Sequence, residues 1–121
     1  MTAAGGAFEI AVAGDTLVVT PRSDLRELGY QQIEVGGKAI LDQLVNSPIT
    51  NVVIDFHNTD YYGSTALGFF VKLWKRVRDR NGRMAFCCLS EHEREILAAT
   101  RLDKLWSICS SREEALKAVQ G

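Results

Sequence analysis

At 121 residues, of which 46% are apolar and 24% charged, the chain has the size of one domain and enough apolar material for a sizeable core. A formal net charge of −1 gives no global pull toward nucleic acid or a membrane surface, and no apolar run approaches the length of a membrane-spanning helix. Cys87, Cys88 and Cys109 cannot all pair within one chain, and Cys87 and Cys88 are adjacent, which points to reduced thiols in a cytoplasmic protein.

Residues 1–6 lack the basic region and apolar core of a signal peptide and read as a disordered tail. Residues 7–13 alternate in the manner of a strand, Gly14 and Asp15 make a turn, and residues 16–20 return as the second arm of a hairpin that Pro21 ends. Ser23 and Asp24 suit the cap of a short helical turn. Farther on, Ile33, Ile40, Leu41 and Leu44 share a helical face. Gly29, Gly36 and Gly37 each cost roughly 1 kcal/mol inside a helix. An irregular segment near residues 28–31 is therefore expected, then a helix to about Val45, with an exit at Asn46-Ser47-Pro48.

Residues 51–56 contain Val52, Val53 and Ile54, a β-branched run suited to a strand covered on both faces. Asn58, Thr59 and Asp60 break it, and Gly63 permits a tight turn. Ser64 or Thr65 caps a helix over about 64–79, with Ala66, Leu67, Phe70, Leu73, Trp74 and Val77 on one face and Lys72, Lys75, Arg76 and Asp79 opposite. Asn81-Gly82 ends it with a pair tolerant of positive φ. Residues 83–89 read as a strand. Ser90 to Glu93 has the capping-box pattern of a helix running to about Ala99. Residues 105–109 read as a short last strand, and Ser110 or Ser111 caps a final helix to about Val119, with Glu113 and Glu114 placed for its dipole. Strands alternating with helices after a hairpin predict an α/β domain over 1–121: a mixed, mostly parallel sheet of about five strands with about four helices packed on it. Functional loops of such sheets gather at the carboxyl ends of parallel strands, and the loop after Phe56 is one.

The run Gly63-Ser64-Thr65-Ala66-Leu67, after a central strand and at a helix start, resembles the signature of the STAS domain of bacterial anti-sigma factor antagonists. Residues 81–89, 94–106 and 110–116 are similar to that family's next turn and strand, third helix with its link to the last strand, and final helix start. The resemblance implies a STAS-like domain that is not an enzyme and carries no cofactor. It further implies Ser64 as a site phosphorylated by an anti-sigma factor that is a serine kinase, with a cognate phosphatase as second partner. Thr65 is the secondary phosphorylation candidate. Asp55, Asp60, Tyr61, Tyr62, Gly63, Ser64, Thr65, Leu67, Gly68 and Phe69 form the implied partner-binding set. Gly63 stands where the family usually has Asp. That departure motivates an alternative: a constitutive interaction module, never phosphorylated, in a larger signalling or transport assembly.

Plainer roles stand beside these. Ser64 and Thr65 suit helix capping. Asp55 suits a hydrogen bond to neighbouring loop backbone. Tyr62 suits the core, and Phe69, at the edge of the helix's apolar face, suits peripheral core as well as an interface anchor. The basic residues Lys72, Lys75, Arg76, Arg78, Arg80 and Arg83 read as a solvated helix face, without the interleaved aromatics of a nucleic-acid platform. No metal site is expected from Cys87, Cys88, His92 and Cys109: adjacent strand residues face opposite ways, and no paired Cys-x-x-Cys spacing exists. Gly36-Gly37-Lys38-Ala39 is not a phosphate-binding loop, and the Ser64 run is not a nucleophile elbow despite His57 and Asp60 nearby.

Overall fold

The sheet begins with the predicted hairpin. β1 (Phe8–Ala13) and β2 (Thr16–Pro21) pair antiparallel, with Ile10 opposite Val19, and Gly14 closes the turn at φ 63°, where a Cβ would be strained. The structure is a computed structural model that describes residues 8–22, 30–45, 47–60 and 64–120, and of residues 30–32 and 64 the backbone alone. β3 (Asn51–Asp55), β4 (Met84–Cys87) and β5 (Ser107–Cys109) extend the sheet in parallel, in the order β1-β2-β3-β4-β5. α1 (Tyr30–Val45), α2 (Ser64–Asp79), α3 (Glu91–Thr100) and α4 (Arg112–Gln120) complete the mixed α/β architecture. Among the described residues, no helix is long and apolar enough to cross a membrane.

Side-chain alternation divides the strands between two cores. Leu17, Val19, Val52, Ile54 and Phe86 join Ile40, Leu44, Phe70, Leu73 and Val77 of α1 and α2 in the larger one. Phe70 meets Phe56 and Phe86 edge-on, and Phe86 stacks on Trp106 with centroids 4.4 Å apart. Val18, Val53, Ala85 and Cys87 point the other way and pack with Ala115 and Val119 of α4. Both faces of β3 are thus covered, which is why Val52, Val53 and Ile54 are adjacent and all fully buried.

α1 runs to Val45 as expected and passes through Gly36 and Gly37 without a break, despite their local cost. A Cβ on Gly37 would lie 2.5 Å from Cε1 of Phe69, so the glycine gives α2's ring a place against α1. Residues 28 and 29 of the predicted irregular segment, and Ser23 and Asp24, lie outside the described residues, but residues 30 and 31 already belong to α1 and not to an irregular segment. Of the pair expected to end α2, Asn81 takes the left-handed conformation, at φ 60°. β4 stops at Cys87 instead of Leu89, because Cys88 is left-handed at φ 61°. β5 loses its predicted start: Leu102–Lys104 form a 3-10 turn, and Leu105 is left exposed. Leu67 and Trp74 are half-buried at the edge of α2's apolar face, and Arg78 lies 4.8 Å over the Trp74 ring.

Candidate functional site

β3 delivers Asp55 to the carboxyl edge of the sheet on the α4 side, because alternate residues Val53 and Asp55 share that face. Asp55 is 3% exposed, and both carboxylate oxygens are engaged. Oδ1 accepts from the backbone N–H of His57 at 3.0 Å and lies 2.9 Å from His57 Nδ1. Oδ2 accepts from Arg112 Nε at 2.9 Å, and Arg112 Nη2 also donates to Thr20 Oγ1 at 3.2 Å. The bond to loop backbone is the plainer role foreseen for Asp55. Burial alone would raise the Asp55 pKa; the His57 and Arg112 hydrogen bonds outweigh it and hold the carboxyl below its ordinary value.

The loop after β3 is tied to α3. Ser90 caps α3 in the predicted capping box: its hydroxyl accepts from Glu93 N–H at 3.1 Å, while Glu93 Oε1 accepts from Ser90 N–H at 2.9 Å. The box also reaches outward. The buried Thr59 hydroxyl donates to Glu93 Oε2 at 2.7 Å, and Ser90 Oγ donates to the carbonyl of Asp60 at 2.9 Å. The backbone entering the signature run is thereby clamped by a carboxylate with no exposed surface.

Burial raises the Glu93 pKa, against the hydrogen bonds from Ser90 and Thr59. A carboxyl whose folded pKa lies above its unfolded value contributes stability below the unfolded value, about 4.3, and loses it as pH rises through the folded pKa. Glu93→Gln keeps an acceptor for Ser90 N–H and does not ionise. The parent's stability relative to Glu93→Gln is expected to fall as pH rises from 4 toward 7, read from urea midpoints; a constant difference would show that Glu93 ionisation does not couple to folding.

α2 begins at Ser64, with no acidic residue in its first turn. Thr65 is exposed, and Asp60 is exposed at the other end of the run. Thr65, Gly68 and Phe69 line one groove of about 690 Å³ with Ile33, Lys38 and Leu41 of α1. Gly68 is exposed, and a Cβ there would meet nothing within 4 Å. Phe69 is buried, its ring 5.8 Å from Phe8 and 6.0 Å from Phe70, so it packs as core while also lining the groove. Leu67 packs against the same core. Tyr61, Tyr62, Gly63 and the Ser64 side chain lie outside the described residues.

Sequence reasoning missed Arg112 and Thr59 and saw Glu93 only as a cap. It also set the two adjacent thiols apart. Because Cys88 leaves the strand conformation, Cys87 Sγ, Cys88 Sγ and an Asp55 carboxylate oxygen lie within 4.8 Å of one another. Burial, reinforced by the Asp55 charge, pushes the Cys87 thiol far above its ordinary pKa and raises Cys88 as well. Arg80 has left the solvated face assigned to it: its guanidinium donates to the carbonyls of Leu44 and Ser47 at the end of α1.

Several proteins share this architecture. A protein of Thermotoga neapolitana, named as a homologue of the candidate anti-sigma factor antagonist TM1081, is 25% identical over 114 residues, covering 94% of this chain and 98% of its own length. The crystal structure of the Thermotoga maritima protein TM1081 superposes with a TM-score of 0.83 at 20% identity, covering 94% of this chain and 95% of that one. The anti-sigma factor antagonist SpoIIAA in its unphosphorylated form gives 0.82 at 19% identity, covering 95% and 97%. Bacillus SpoIIAA in its phosphorylated form gives 0.71 at 19% identity, covering 93% and 98%. The STAS domain model matches residues 7–115, nearly the whole of the five-stranded sheet and its helices, and on that match the chain belongs to the STAS domain family.

Proposed function

We propose that this protein is an anti-sigma factor antagonist that works by a phosphorylation-dependent partner switch. In its unphosphorylated form it binds an anti-sigma factor that is also a serine kinase, through the Ser64 run and the first turns of α2, and so frees a sigma factor. The kinase transfers the terminal phosphoryl group of its own ATP to Ser64, with Thr65 the lesser candidate, and a phosphatase reverses the step. The observation that carries this reading is the start of α2 at Ser64, in the connection that follows β3, in a fold shared with SpoIIAA, solved in unphosphorylated and phosphorylated forms.

The chemistry of that position supports the switch. A phosphate adds about −1.5 to −2 charges where a neutral hydroxyl stood. A helix N-terminus, with its free N–H groups and positive dipole end, accommodates that charge, so modification leaves the domain folded while blocking a docked partner. Asp60, Thr65, Gly68 and the exposed end of the α1–α2 groove form the surface the partner meets in this reading.

Phosphopeptide mapping of the protein from its native cells, with partner capture on Ser64→Ala and Ser64→Asp variants, tests the proposal. The expected result is one phosphoryl group on Ser64 or Thr65, and a partner retained by Ser64→Ala but lost by Ser64→Asp. Equal capture by both variants, with an unmodified peptide, would replace the switch by the constitutive module that Gly63 suggests.

A further inference from the structure

Two neighbouring cysteines in a regular strand point to opposite faces. Here β4 ends at Cys87, and Cys88 turns into the left-handed region at φ 61°. That single backbone change brings both sulfurs and an Asp55 carboxylate oxygen within 4.8 Å of one another, under the start of α4. We propose that Cys87, Cys88 and Asp55 form a binding site for a soft divalent metal cation.

The ligand chemistry fits a thiophilic ion. Two sulfurs and one carboxylate oxygen are the donors that zinc and cadmium accept, whereas magnesium and calcium require oxygen shells. On binding, each thiol releases its proton to solvent as its sulfur donates a lone pair to the cation. The charges then balance. Two thiolates and a carboxylate carry three negative charges; the cation supplies two positive charges, and the Arg112 guanidinium, 2.9 Å from Asp55 Oδ2, supplies the third. Such balance matters because Cys87 and Asp55 are buried and an uncompensated charge there is costly.

The surroundings supply orientation and access. His57 Nδ1 lies 2.9 Å from Asp55 Oδ1, so the carboxylate is held in place from the loop side as well as from α4. Cys88 is only partly buried, so the cluster is reached from solvent on that side. Cys88 Sγ also lies 3.7 Å from the Ser110 carbonyl. Cys109 is the register neighbour of Cys87 on β5, yet its sulfur falls outside the group, which makes it an internal control.

The test is a titration of the reduced full chain with cadmium(II), read by the ultraviolet sulfur-to-cadmium charge-transfer band. The expected result is a band that saturates at one equivalent, persists in Cys109→Ser, disappears in Cys88→Ser and needs roughly tenfold more cadmium in Asp55→Asn. Cys88→Ser is chosen because Cys88 is partly exposed whereas Cys87 is fully buried, and circular dichroism verifies its fold. Absence of a saturating band, an unchanged band in folded Cys88→Ser, or loss of the band in Cys109→Ser would overturn the proposal. None of these readouts depends on a partner or on phosphorylation.

Discussion

Gly82→Ala is expected to lower the unfolding free energy by roughly 3 kcal/mol, read as a shift in urea midpoint with little change in slope. Gly82 does not use positive φ; it lets two backbones touch. A Cβ there would fall 1.7 Å from the carbonyl oxygen of Thr50 and 2.6 Å from its carbon. Neither partner yields easily. The Gly82 N–H donates to Val77 O at 2.9 Å, closing α2, while Thr50 and Asn51 both donate to Asp15 O, at 3.0 and 3.2 Å, anchoring the entry to β3. Relief of the clash must therefore disturb either the end of α2 or the start of the central strand. A loss under about 1 kcal/mol would mean that the Thr50 segment moves more freely than its hydrogen bonds suggest.

Arg112→Met is the second large effect, expected to cost about 2 kcal/mol near pH 7: less than breaking a fully buried ion pair, because the Arg112 side chain is 43% exposed. The variant leaves Asp55 with His57 as its remaining side-chain partner among the contacts described above and also releases Thr20 Oγ1. The sign of the pH dependence follows from the depressed Asp55 pKa. A carboxyl lowered in the folded state contributes stability above its unfolded value, about 3.9, and loses it as pH falls through the folded pKa. The gap between parent and Arg112→Met should therefore be widest near neutrality and narrow below about pH 4, as protonation of Asp55 removes the charge Arg112 compensates. Urea midpoints at pH 7 and pH 3 check this; an equal gap at both would assign Arg112's effect to packing of its alkyl stem.

Local pattern carried the fold a long way. α2 spans Ser64–Asp79 as expected, because its start, its 3.6-residue apolar spacing and its Asn81 exit are all encoded within one short stretch. The capping box of α3 is likewise local, and it forms as read. What the sequence hid was long-range. Thr59 and Glu93 are 34 residues apart, and Asp55 and Arg112 are 57 apart; neither pairing leaves a periodicity to detect. Gly37 looked like a helix fault because the ring that needs its missing Cβ belongs to another helix. Cys88 looked like a strand residue because its left-handed turn is imposed where β4 hands over to α3, not by its own preference. Of the residues proposed to meet a partner, Asp60, Thr65 and Gly68 are exposed, and Phe69 takes the core role that its place at the edge of the apolar face already suited.

Strand order in the sheet is the order of synthesis, β1 through β5. Each new strand therefore finds its neighbour already made, and only one crossover need close at a time, which limits the loop entropy of each step. The α1–α2 side can assemble around β1, β2 and β3 while the ribosome is still making the rest. The α4 side cannot, since Ala115 and Val119 come last. Until Arg112 emerges, Asp55 stays a hydrated carboxylate at an open sheet edge, and Cys87 and Cys88 stay accessible to solvent. Closure of α4 is thus the event that dries this corner, and a nascent chain arrested before residue 112 should label readily with thiol reagents at Cys87, which the finished fold conceals.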